Sequence, residues 1–86
     1  MSRKEKLIIK FKSKPTDISF DELITLLNYF DYHLSNKEKT SGSAVMFVCN
    51  KDGFGPIKLH RPHPSNFLKP YQVKSIISEL ERKELI

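Results

Sequence analysis

The sequence predicts an α+β domain: a helix, a three-stranded antiparallel meander, and a second helix, with a short extra helix at the N-terminus. Three observations carry this. Two stretches, Phe20–Phe30 and Val73–Leu80, repeat apolar residues every three to four positions. Between them, Tyr32–Asn36, Ser43–Asn50 and Pro56–His60 read as strands. Asp52-Gly53, a dipeptide suited to a tight hairpin turn, separates the last two.

A chain of 86 residues holds one domain. At this size about 60–65% of the unfolded surface is buried on folding, so the stability margin is thin. An apolar share of 38%, with six Phe and three Tyr, supplies one core and argues against wholesale disorder. Residues 1–14 form a basic N-terminal segment and residues 15–86 the domain proper.

The N-terminal segment contains Leu7, Ile8, Ile9 and Phe11 among lysines. Leu7, Ile8 and Phe11 would share a helical face, whereas Ile9 and Phe11 would share a strand face; we take the helix, ended by Pro15. Ser19-Phe20-Asp21-Glu22 then starts the next helix, because the serine hydroxyl accepts from a first-turn amide while Glu22 reaches back to the cap. Asp21 and Glu22 also suit the positive end of the helix dipole, and read as capping groups rather than a catalytic pair. Phe20, Leu23, Ile24, Leu27 and Phe30 form its core stripe.

In the first strand Tyr32 and Leu34 share one face and His33 and Ser35 the other. Lys37–Gly42 is a polar connection. Along Ser43–Asn50, Val45, Phe47 and Cys49 oppose Ala44, Met46 and Val48, so this strand is covered on both faces or central in its sheet. Ile57 and Leu59 of the return strand point inward, Lys58 and His60 outward. Arg61–Asn66 is too proline-rich for a strand interior and makes an ordered loop. Pro70 fits the first turn of the last helix, which buries Val73, Ile76, Ile77 and Leu80 and exposes Lys74, Ser78, Glu81 and Arg82. The two helices are free to pack on the same face of the sheet.

Charge is unevenly placed. The net value is +5, with six Lys/Arg against one Glu in residues 1–14 and four acids alone, Asp17, Asp21, Glu22 and Asp31, in residues 17–31. Residues 36–69 hold six cations, Lys37, Lys39, Lys51, Lys58, Arg61 and Lys69, against Glu38 and Asp52. Such asymmetry fits a chain that meets a polyanion on one side. The single cysteine, Cys49, reads as a reduced thiol with apolar neighbours, not a nucleophile. No Cys/His spacing matches a zinc site, so no metal or other cofactor is expected. No run approaches the ~20 apolar residues of a membrane helix, and no signal peptide is visible, so a cytoplasmic protein without membrane partners is expected.

The helix-strand-strand-strand-helix order, the Gly42-Ser43 pair leading into the second strand, and the Pro-His-x-x-x-x-Leu-Lys run of Pro62–Lys69 resemble the HicA family. These are small toxins of bacterial toxin–antitoxin pairs with a fold similar to double-stranded RNA-binding domains. The resemblance covers roughly Asp17 to Ile86. It implies an mRNA interferase, a ribosome-independent endoribonuclease, restrained by a HicB-like antitoxin. Where the family carries its catalytic histidine after Gly-Ser, this chain has Ala44, which has no proton to give or take. Either the chain is an inactive form that still binds RNA or antitoxin, or other groups do the chemistry.

Metal-free RNA cleavage needs a base for the 2′-hydroxyl, an acid for the leaving 5′-oxygen and donors on the phosphate. His60 and His63 are the candidates for acid and base. Lys37, Lys39, Ser43, Lys58, Arg61 and Lys69 are the candidates for contacting RNA. The blander reading makes each histidine a loop residue bonded to backbone, and Ser41 and Ser43 hydroxyls that satisfy the Gly42 bend. The rival function is a non-enzymatic protein-interaction module whose basic face binds an acidic partner.

Overall fold

The computed structural model describes residues 2–35, 44–62 and 65–86. Its elements are α1 (Arg3–Lys12), α2 (Phe20–Asn28), β1 (Tyr32–Ser35), β2 (Ala44–Cys49), β3 (Ile57–His60) and α3 (Pro70–Arg82). The strands form one antiparallel sheet in the order β1-β2-β3, so β2 is central. This is the expected α+β meander between two helices, with the N-terminal helix added.

Helix α1 settles the ambiguity of the basic segment. Ser2 caps it by accepting from the Glu5 amide, and Phe11 is fully buried while Leu7 and Ile8 pack half-buried against the core. Ile9, the strand-phase residue, is exposed. Helix α1 therefore contributes to the same core as α2, the sheet and α3.

A reciprocal cap starts α2: Ser19 Oγ accepts from the Glu22 amide at 3.1 Å and Glu22 Oε1 accepts from the Ser19 amide at 3.0 Å. Phe20, Leu23, Leu26 and Leu27 are buried. Leu26 falls outside the expected stripe because α2 packs against both β1 and α1, which widens its apolar face. Pro70 opens α3, and Val73, Ile76, Ile77 and Leu80 are buried as the spacing requires.

One sheet face carries Tyr32, Leu34, Val45, Phe47, Cys49, Ile57 and Leu59, all buried or half-buried against the helices. The other carries His33, Ser35, Ala44, Met46, Val48, Lys58 and His60, none of which joins the core cluster. Of the two readings of the central strand, its position in the sheet holds, while its coverage comes from helices on one face only. Strand ends are shorter than expected, since Asn50 and Pro56 lie outside β2 and β3.

Seven residues connect β2 and β3, so Asp52-Gly53 is the bend of a longer connection rather than a tight two-residue hairpin. Gly53 has φ +91°, a backbone conformation that glycine adopts without a side-chain clash. The Gly55 carbonyl, next in phase to face β2, accepts instead from the hydroxyl of buried Tyr32 at 2.9 Å, and pairing stops at Ile57.

Candidate nucleic-acid interface

Strand register decides which candidate residues meet. Ala44 lies directly opposite His60, Met46 opposite both Lys58 and Ser35, and Val48 opposite His33, all on the sheet face away from the helices. The Asn50 amide donates to the Asp31 carbonyl at 3.0 Å, which makes 31 and 50 a hydrogen-bonded pair in continuation of β1 and β2. Alternation then makes Val45 and Leu59 a hydrogen-bonded pair and Ala44 and His60 a non-hydrogen-bonded one, the closer kind, with Cα atoms about 4.5 Å apart.

Among the described residues, the neighbourhood of Ala44 holds one exposed imidazole, His60, and one exposed ammonium, Lys58, beside half-buried Met46. Arg61 turns the other way: its guanidinium lies 5.0 Å from the ring centre of Phe20, and Phe20 in turn packs on Phe47 of the helix-facing side. The cation is held there by the ring's negative face. Lys51 is paired with Asp31 at 3.2 Å. Lys69 stands exposed just before α3, where its amide donates to Gln72 Oε1. Among the sequence-predicted residues, Ala44, Lys58 and His60 are brought together, Arg61 is turned to Phe20, Lys69 lies off the strands just before α3, and Lys37, Lys39, Ser43 and His63 lie outside the described residues.

His33 shares the outer face but sits beside Val48, four positions along β2 from Ala44. At about 3.3 Å per residue that is roughly 13 Å, too far for His33 and His60 to act on one phosphate.

Two anchors hold the described ends of the connection after β3. Pro62 and Leu68 are buried, and Leu68 donates to the Ile18 carbonyl at 2.7 Å while Phe20 donates to the Asn66 carbonyl at 2.9 Å. The resulting bridge pins the loop to the start of α2. The second anchor is Gln72, buried on α3, whose Nε2 donates to the His60 carbonyl at 2.8 Å. Sequence reasoning missed it. The available signal was a Gln three positions after Lys69, where a capping side chain reaches back to the residue before the helix.

Around the start of α2, Lys10 donates to Glu22 at 2.8 Å, with Asp17 at 4.0 Å. That hydrogen bond raises the Lys10 pKa. Burial pushes the Glu22 carboxyl up, but the hydrogen bonds from Lys10 and Ser19 outweigh it and leave it below the ordinary value. Both Glu22 oxygens are thereby engaged, in keeping with a capping role. Cys49 faces the core, with its thiol 3.6 Å from the Phe30 carbonyl and accepting from the Lys51 amide. Among the described residues no three His, Cys, Asp or Glu side chains gather as metal ligands, and no helix is long and apolar enough to cross a membrane.

No family model, curated protein or solved structure matches the chain.

Proposed function

We propose that the chain is an RNA-binding, HicA-like domain of the double-stranded-RNA-binding type, the toxin of a cytoplasmic pair with a HicB-like antitoxin. The observation that carries this reading is the pairing of Ala44 with His60 beside Lys58 on the uncovered sheet face. In the resemblance, Ala44 stands at the position of the catalytic histidine. The register supports the comparison by setting that position across from a second imidazole, as an acid–base pair on one phosphodiester would require. With alanine there, the described part of the site has one imidazole, so binding is retained and cleavage is weak.

Binding would rest on phosphate and 2′-hydroxyl contacts with little reading of bases, since the outer face presents no Phe, Tyr or Trp platform among the described residues. The test is filter binding of RNA at several salt concentrations, comparing the parent with Lys58→Ala. Loss of one phosphate contact makes the log–log salt slope shallower by about 0.7–0.9 and weakens binding at low salt. Unchanged affinity and slope would leave the protein-interaction module as the better reading.

A further inference from the structure

The edge of β3 has no strand partner among the described residues, and a groove lined by Lys58, His60, Tyr71, Gln72, Ser75 and Ile76 runs between it and α3. The hydrogen-bond phase set by Asn50 and Asp31 directs the Leu59 and Ile57 backbone toward β2 and the Lys58 and His60 backbone toward this groove. Gln72 confirms the phase independently, because its amide reaches the His60 carbonyl from the α3 side. The Lys58 amide and carbonyl and the His60 amide therefore point into the groove.

We infer that this edge takes an extended, acidic strand from a partner protein, added antiparallel or parallel to β3, with apolar side chains alternating toward α3 and acidic ones toward Lys58. The alternation follows from the geometry of an added strand. Its side chains continue the two faces of the sheet. On the helix side they meet Leu59, Ile76 and Tyr71, the last 63% exposed and the most exposed large apolar side chain among the described residues. On the outer side they meet Lys58 and His60. Glu79, at the far end of the groove, does not repel such a strand, because it faces the apolar positions and is already paired with Lys83 and Arg82.

The same features disfavour a second copy of this chain as occupant. Pro56 has no amide to offer, and two β3 edges paired antiparallel about Lys58 would bring it against its own counterpart, a like-charge contact that destabilises a sheet. The residue that guards the edge against self-pairing is the one that selects an acidic strand. This inference needs neither RNA nor cleavage, and stands or falls separately from the RNA reading.

The probe is a synthetic seven-residue peptide alternating Glu and Val with blocked ends, titrated into isotope-labelled full-length chain and followed by amide chemical shifts. Expected are saturable shifts at Lys58, His60, Tyr71 and Ser75, at least tenfold weaker binding when alternate peptide nitrogens are methylated, and similar weakening when Lys replaces Glu. Tyr71→Ala should weaken binding several-fold without changing Tm, because its side chain is mostly in solvent. Binding that ignores N-methylation would overturn strand addition. Equal binding of the Lys peptide would overturn the charge rule, and no shift at Lys58 and His60 with either peptide would overturn the site. An RNA oligonucleotide that shifts these backbone amides while the peptide does not would also overturn it.

Discussion

Replacing Ala44 with histidine puts an imidazole directly across the strand pair from His60. Residues 44 and 60 are directly opposed on the outer face, so their Cβ atoms lie roughly 4.5–5.5 Å apart and the two rings can approach a phosphodiester from either side. Each well-placed acid or base contributes ~10²–10⁴ in rate. Ala44→His is therefore expected to raise RNA cleavage by about that factor over a nearly silent parent, with the bell-shaped pH dependence of an acid and a base acting together. Purified parent, Ala44→His, Ala44→His/His60→Ala and His63→Ala are incubated with mixed RNA and fragments are counted over time. The double variant should fall back to the parent's level. Activity in the parent that His63→Ala abolishes would refute the inactive reading and assign the chemistry to His60 and His63. A folded, RNA-binding Ala44→His variant that cleaves nothing would refute the cross-strand argument.

Three further expectations concern the scaffold. Leu27→Ala on α2 empties a fully buried site and should destabilise by about 2–5 kcal/mol, a large share of the ~4–13 kcal/mol expected for this length; a loss under about 1 kcal/mol in urea denaturation would mean that Leu27 is not core. Glu22 is held below its ordinary value, so its contribution is complete above the unfolded carboxylate range and disappears as pH falls through the lowered folded value. Stability should drop from about pH 5 to about pH 3, and Glu22→Gln should flatten part of that drop; an identical slope in the variant would dismiss the Lys10 pair as a contributor. Tyr32→Phe removes the hydrogen bond to the Gly55 carbonyl and should lower stability by about 0.5–1.5 kcal/mol, read as a shift in urea midpoint with unchanged slope.

What the sequence determined by itself was local. Ser19 and Glu22 announced the start of α2 because a reciprocal cap spans three residues. The spacing of Val73, Ile76, Ile77 and Leu80 announced the buried side of α3, and alternation in Ile57–His60 announced which residues face inward. Each is a pattern read within a turn of helix or a few residues of strand. Non-local pairing was not legible. That Ala44 meets His60 depends on a register sixteen positions apart in the chain, and a slip of one residue would exchange the two sheet faces. Arg61 looked like part of the basic surface until tertiary contact set it over Phe20, since an aromatic ring forty-one positions earlier leaves no mark on the local sequence. Ser19 and Phe67 likewise become a bridge only when the chain after β3 returns to α2, and Gln72 becomes an anchor only when α3 lies beside the end of β3. Side-chain chemistry and short-range periodicity settle which elements form. Packing of one face of the sheet beneath the helices settles which residues share the face left over.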